Sequence, residues 1–148
     1  PVSENFMTWV DSGAYSSTDY HGYSHYKAGA GYENSFVELR KWYMGKLAEL
    51  ITKLKNTDDV NGGSLLDNTL IMVGSDLGDS DNHDHNNIPL MTAGGANMGV
   101  TTGQLHELNA APHTQLLQTV VDKVSQGAVS SSPWKAIDPQ GRGALDLS

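Results

Sequence analysis

The sequence predicts a mixed α/β fold in which helices pack on a sheet. Three observations lead to this prediction. Residues 35–55 carry apolar side chains at helical spacing, residues 69–74 and 88–95 form two short apolar runs, and residues 111–127 form a second helical pattern. A helix followed by strand, loop, strand and helix is the order expected of a layered α/β fold.

The segment at 35–55, "SFVELRKWYMGKLAELITKLK", indicates an amphipathic helix. Its apolar stripe consists of Phe36, Leu39, Tyr43, Leu47, Leu50, Ile51 and Leu54. Ser35 and Glu38 have the spacing of a capping box, which predicts that the helix begins there. Lys53 and Lys55 lie in the last turn, where positive charge suits the helix dipole.

The runs "TLIMVG" at 69–74 and "IPLMTAGG" at 88–95 are apolar on both faces, as are buried strands of a parallel sheet. Pro89 cannot donate a backbone hydrogen bond, so it belongs at a strand start. We therefore expect Thr69–Gly74 and Ile88–Ala93 to be neighbouring parallel strands with the 35–55 helix on one face. The connection between them lacks a crossover helix, which argues against direct parallel pairing.

The remaining segments are expected to contain one more helix and several irregular stretches. Residues 111–127, "APHTQLLQTVVDKVSQG", predict a helix, and residues 98–108 a hairpin-like connection. The inward side chains of that helix would be Leu116, Leu117, Val120, Val121 and Val124. Residues 1–32, with one short helical turn, and 127–148 are predicted to be mostly irregular.

Length and composition bound the class of protein. The chain of 148 residues corresponds to a single α/β domain, residues 1–148. A net charge of −8 with nine Lys and Arg leaves no basic surface for nucleic acid. No apolar run approaches the ~18 residues that a membrane span needs. The absence of cysteine excludes disulfides and thiolate metal sites. Because the sequence begins without Met, we expect a processed chain or a piece of a longer one.

Four of the six histidines occur in two close pairs. His21 and His25 are four residues apart, so on a helical turn they share a face. His83 and His85 are two apart, so on an extended segment they also share a face. Imidazole is a common ligand of zinc, copper, iron and nickel. The alternative is that each pair is solvated in a polar loop.

The second pair lies in the acidic loop "GSDLGDSDNHDHNNIP" at 74–89. This loop follows the carboxyl end of a predicted strand, where open α/β sheets bind ligands. Asp76, directly at the strand end, is a functional candidate, whereas Asp79 and Asp81 are interpreted as turn-forming, solubilising residues. His106 and His113 show no such spacing, and His113, which follows Pro112 at a predicted helix start, is assigned a structural role.

These observations predict one shared metal site formed by histidines and a carboxylate. Its residues would be His21, His25, His83, His85 and Asp76. Nitrogen ligands suit a divalent transition metal, zinc first, better than calcium or magnesium. Copper or iron would instead allow redox chemistry.

The stretch "LLDNTLIMVGSDLGDSDNHDHNNIPLMTAGG", together with "HGYSHY" before a long helix, resembles the C-terminal part of an uncharacterised family of exported bacterial proteins, catalogued as a domain of unknown function. The resemblance covers about residues 19–125. That family is similar in turn to the alkaline phosphatase and sulfatase superfamily. The resemblance implies the C-terminal portion of an alkaline-phosphatase-like αβα layered fold, and export to the periplasm or the extracellular space.

The resemblance also implies metal ligands. In the superfamily a strand ends in a Ser-Asp-His-Gly motif, and here "SDLG" keeps Asp76 but has Leu77 in place of the histidine. His21 stands where the superfamily has an aspartate, and His83 or His85 matches a later metal histidine. The superfamily's nucleophile lies in an early segment that has no counterpart here. We therefore expect either a missing N-terminal half or a small protein built on the C-terminal portion alone, which works in an oligomer or with a partner chain.

Three functions remain open. The first is a metal-dependent hydrolase of phosphate or sulfate esters, with Asp76 as a ligand or catalytic base. The second is a non-catalytic module that a metal stabilises. The third is a carbohydrate- or partner-binding module, suggested by tyrosines that often form contact surfaces but could equally pack on the long helix. These tyrosines are Tyr15, Tyr20, Tyr23, Tyr26 and Tyr32.

Overall fold

The structure is a computed structural model that describes residues 20–28, 31–108 and 111–126. Its elements in chain order are helix α1 (Tyr20–Ser24), helix α2 (Tyr32–Lys55), strand β1 (Leu70–Gly74), strand β2 (Leu90–Gly94), a 3₁₀ turn (Ala96–Met98) and helix α3 (His113–Ser125). Helices and a sheet are therefore both present, which confirms a mixed α/β fold. The predictions for residues 1–19 and 127–148 lie outside the described residues.

Helix α2 ends where the sequence predicts but begins one turn earlier. The end at Lys55 is confirmed, whereas the backbone N–H of Ser35 donates to the carbonyl of Gly31 at 3.1 Å. Ser35 is therefore inside the helix, and the predicted capping box is wrong. The extra turn is stabilised by packing, since the Tyr32 ring lies 5.3 Å from the Tyr23 ring, centroid to centroid. Sequence spacing alone does not reveal such a contact.

Strands β1 and β2 pair directly in a two-stranded antiparallel sheet. The expected parallel pairing is wrong. Paired parallel strands need a crossover connection, and no crossover helix joins these two strands. Between the strands the chain doubles back, with an antiparallel bridge joining Asp79 to Asp84. A loop that folds back on itself ends near the point where it began. Strand β2 therefore starts beside the end of β1 and runs in the opposite direction. The αβα layered fold stays a prediction.

The described residues group into two compact units. The first comprises residues 20–28, 31–50 and 73–91, and its core is formed by Leu39, which has no exposed surface, and Tyr23, which is 2% exposed. The Tyr20 ring packs 5.9 Å from both Phe36 and Tyr43. Tyr20 and Tyr23 thus pack against aromatic side chains of α2, the alternative left open for them, whereas Tyr15 lies outside the described residues.

The second unit comprises residues 51–72, 92–108 and 111–126. The carbonyl of Leu66 accepts a hydrogen bond from Gly95 at 3.0 Å, and α3 buries Leu116 to 7% exposure. Helix α3 confirms the second predicted helix, but Val124 is 51% exposed, so its inward assignment is wrong. It lies in the last turn, where α3 has no buried residue. Residues 99–108 contain no strand, so the hairpin-like connection is also wrong.

None of the helices in the described ranges is both long enough and apolar enough to cross a membrane.

Candidate functional site

Helix α1 and the turn after it bring the first histidine pair together. His21 lies in α1 and His25 directly follows its last residue, Ser24. The chain continues to turn through His25, whose backbone N–H donates to Gly22 at 3.3 Å. As a result the Nε2 atoms of His21 and His25 lie 3.3 Å apart, and their ring centroids 5.0 Å apart. The spacing of four residues therefore places two imidazoles side by side, as predicted.

His83 joins this pair from the loop between the strands. Its ring centroid lies 4.9 Å from that of His25, although the two residues are 58 positions apart in the sequence. The backbone of His83 is left-handed, with φ at 53°, a conformation that non-glycine residues adopt at a cost of about 1–2 kcal/mol. The turn that contains His83 is closed where the N–H of Asp84 donates to Asp79 at 2.9 Å. We call His21, His25 and His83 the histidine cluster.

His85 and Asp76 make a different contact. The Nδ1 atom of His85 lies 2.8 Å from the backbone oxygen of Asp76, and that oxygen can only accept a hydrogen bond. Nδ1 therefore carries the proton, which leaves Nε2 of His85 open as a ligand atom. Among the residues described, no hydrogen bond or ring contact joins His85 or the Asp76 carboxylate to the histidine cluster.

His83 and His85 do not lie on an extended segment, the conformation in which alternate side chains would share a face. The left-handed backbone at His83 breaks that alternation, so the two imidazoles make unrelated contacts. The closure of the loop determines the positive φ of His83. The pattern of hydrophobic and polar residues in the sequence does not reveal it.

Two aspartates assigned only to turn formation tie the loop to the segment after α1. The Tyr26 hydroxyl donates to Asp79 at 3.2 Å, and the ammonium of Lys27 lies 3.7 Å from Asp79 and 3.5 Å from Asp81. The backbone N–H of Lys27 also donates to Asp81 at 3.3 Å. The predicted turn-forming role of Asp79 is confirmed, since its carboxylate accepts a hydrogen bond from the Asp81 N–H at 3.0 Å, and both aspartates in addition fix the loop to the segment after α1. Lys27 is the residue from which this role could have been predicted. It lies beside the first histidine pair and has no acidic residue near it in the sequence.

Further contacts hold the same two segments together. The Ser80 hydroxyl donates to the backbone carbonyl of Ser24 at 2.8 Å, directly beside His25. The pKa of Asp79 is held below its usual value, first by the Asn82 side-chain amide, which donates to it at 2.6 Å. Backbone and side-chain donors on Asp81 and Tyr26 lower it further. Asp79 is therefore an anion with several donors, and it fixes the loop that presents His83.

The spacing of the cluster can be compared with that of a metal site. Two nitrogens bound at about 2.0–2.1 Å to a tetrahedral zinc ion lie about 3.4 Å apart, and their ring centroids about 5 Å apart. The separations of His21 from His25 and of His25 from His83 are close to these values. As the side chains stand, no three His, Asp or Glu residues in the described segments are arranged to hold one ion. Both ring pairs meet edge to face, at 74° and 75°, and a shared ion requires the imidazoles to move from these positions.

No family model, curated protein or solved structure matches this chain. The resemblance to the exported bacterial family and to the alkaline phosphatase superfamily therefore stays a prediction.

Proposed function

We propose that this protein binds a divalent transition-metal ion, zinc first, through His21, His25 and His83, and uses it to hydrolyse phosphate or sulfate esters. The observation that carries the proposal is the cluster itself. Nε2 atoms of two histidines lie 3.3 Å apart, and a third imidazole from a distant loop lies 4.9 Å from one of them. Three imidazoles from two segments of the chain form a nitrogen donor set of the kind that transition metals bind.

We expect the site to be completed by rotation of exposed side chains. His21 and His83 are exposed and His25 is half-buried, so the outer two imidazoles have room to turn. Exposed side chains change rotamer within picoseconds to nanoseconds, far faster than a ligand exchanges. Contacts of Tyr26, Asp79 and Ser80 already hold the backbones of the two segments together. The chain thus holds the donors near one another before the ion arrives.

The donor set suits hydrolysis. A zinc ion bound by three neutral imidazoles supplies a Lewis acid that polarises an ester oxygen and lowers the pKa of a coordinated water. His21, His25 and His83 hold the ion, and none of them neutralises its charge. His85, oriented by the Asp76 carbonyl, offers its Nε2 as a further ligand or proton acceptor. Asp76 keeps its predicted role as ligand or base.

A second candidate function is a metal clamp without turnover. It is favoured by the contacts that already join α1 and the residues after it to the loop, such as Ser80 to Ser24 at 2.8 Å and Tyr26 to Asp79 at 3.2 Å. In this alternative the ion joins the same two segments once more and stabilises the fold. At a free zinc concentration of about 100 times Kd, binding to the folded state alone stabilises it by about 2.7 kcal/mol.

Metal content tests the part that both functions share. The purified chain is stripped with chelator, dialysed against zinc and analysed by mass spectrometry. We expect one zinc ion per chain in the wild type and a large loss in His25→Ala and in His83→Asn. Asparagine tolerates the left-handed backbone at position 83, so His83→Asn removes the imidazole and keeps the loop.

The control is His106→Ala, which removes an exposed histidine outside the cluster. It should keep the wild-type zinc content. The effects of His25→Ala and His83→Asn should not add, because both remove the same site. A wild type that takes up no zinc, or a control that loses as much as the cluster variants, contradicts the proposal.

Turnover separates the two functions. Zinc-loaded protein is incubated with an aryl phosphate and an aryl sulfate, and release of the phenol is followed by absorbance. A hydrolase should lose this activity on chelation and in His25→Ala but keep it in His106→Ala. If zinc raises the melting temperature and no ester is hydrolysed, the clamp is the function.

A further inference from the structure

A cavity of about 450 Å³ lies beside the loop, between that loop and α2. Its volume is within the range of about 300–1,000 Å³ that is typical of small-molecule sites. Its apolar walls come from Phe36 on α2 and from Leu77 and Pro89 on the loop. All the residues that line it belong to the first compact unit.

Arg40 contributes a positive charge to this cavity. Its guanidinium lies 4.9 Å from the centroid of the Phe36 ring and 5.9 Å from that of Tyr20, so the two rings hold it in place. Within the described segments no carboxylate forms an ion pair with Arg40. The side chain is half-buried, so its charge is only partly screened by water. Its N–H donors have no acidic acceptor in the protein there.

The other polar groups around the cavity leave one further donor. Asp79 is the acidic residue in the lining, but Asn82, Tyr26 and Lys27 already contact its carboxylate. The Tyr26 and Ser80 hydroxyls donate to Asp79 and to Ser24, which uses their protons. The Ser75 oxygen instead accepts from the Leu77 N–H at 3.2 Å, so its own proton is left to donate.

We propose that this cavity binds a small organic oxyanion, a carboxylate, phosphate or sulfate carried on a flat apolar group. The anionic oxygens accept hydrogen bonds from Arg40 and Ser75, and the apolar part lies against Phe36, Leu77 and Pro89. A guanidinium presents paired N–H donors that match the two oxygens of such an anion. This inference does not rest on the metal site, since none of the three cluster histidines lines the cavity.

The test is ligand binding to the full chain, freed of metal by chelator. Benzoate, phenyl phosphate and phenyl sulfate are titrated by calorimetry, with benzyl alcohol as an uncharged analogue of similar size. We expect saturable binding of at least one of the anions and much weaker binding of benzyl alcohol. The preferred anion tells whether the ligand is a carboxylate or an ester, and either preference supports the proposal.

Two variants assign the binding to Arg40. Arg40→Gln should weaken anion binding by about 10- to 100-fold, the usual effect of losing a charge-assisted hydrogen bond. Lys41→Gln is the matched control, because it makes the same charge change at the next position of α2, where Lys41 is exposed and pairs with Glu38. It should leave the affinity within about twofold.

A third variant keeps the test decisive if Arg40→Gln does not fold. Arg40→Lys retains the charge and loses the paired donors, so it should weaken binding by less than Arg40→Gln does and by more than Lys41→Gln does. The proposal is overturned if no anion binds saturably, if benzyl alcohol binds as tightly as benzoate, or if Lys41→Gln weakens binding as much as the Arg40 variants. Because the protein is free of metal, failure here leaves the zinc proposal untouched, and failure of zinc binding leaves this one untouched.

Discussion

Gly78 is the residue at which the geometry of the loop can be tested most directly. A Cβ atom built on Gly78 would lie far inside 3.0 Å of the Asn86 carbonyl oxygen, and at 3.0 Å from both the Asn86 carbonyl carbon and the Asn87 oxygen. The Gly78 N–H meanwhile donates to Asp84 at 2.8 Å. Gly78→Ala therefore cannot be accommodated without separating the two sides of the loop.

The size of the effect follows from the atoms involved. The obstructing atoms belong to the backbone, so they cannot swing aside as the tip of a long side chain can. Insertion of a methyl group at such a site costs about 1–3 kcal/mol. Because the loop that opens also presents His83, we expect Gly78→Ala to lose zinc binding as well as stability.

The assay is urea unfolding followed by circular dichroism, with Gly45→Ala as the matched control. Gly45 lies in the interior of α2, and a Cβ there would meet nothing within 4 Å. Since alanine favours a helix over glycine, Gly45→Ala should stabilise the protein by about 0.5–1 kcal/mol. The close approach of Gly78 to Asn86 would be refuted if Gly78→Ala left the free energy of unfolding unchanged or raised it as Gly45→Ala does.

Two further predictions concern the core and the pH dependence of stability. Leu39→Ala should lower the free energy of unfolding by about 2–5 kcal/mol, because Leu39 has no exposed surface. Leu50→Ala on the same helix should cost no more than about 1 kcal/mol, because Leu50 is 47% exposed. Equal effects of the two substitutions in urea unfolding would show that α2 buries a different face. The pKa of Asp67 is lowered first by the Ser64 backbone N–H, at 2.8 Å, and then by the Ser64 hydroxyl, at 2.9 Å. Asp67 therefore stabilises the fold above its unfolded-state pKa, and this contribution is lost as the pH falls through the folded-state pKa. Melting temperatures measured from about pH 5 down to about pH 2 should therefore fall less steeply in Asp67→Asn than in the wild type, and parallel curves would contradict this assignment.

Local sequence pattern was sufficient for the elements that depend on their own residues. The end of α2 at Lys55, the position of α3 and the strands at 70–74 and 90–94 follow from apolar spacing, glycines and Pro89. The pairing of His21 with His25 also follows, because four residues on a helical turn bring side chains to one face by backbone geometry alone. Periodicity predicts such features because each is decided within a few residues of the chain.

What only the tertiary structure decided involves residues far apart in sequence or the direction of a loop. Antiparallel pairing of β1 with β2 depends on how residues 75–89 fold back, and the first turn of α2 depends on packing of Tyr32 against Tyr23. The contact of His83 with His25 depends on a left-handed backbone and on Asp79. The sequence by itself determined where the histidine pairs lie along the chain, and the closure of the loop decided which histidines meet, since a contact across 58 residues leaves no local pattern to detect.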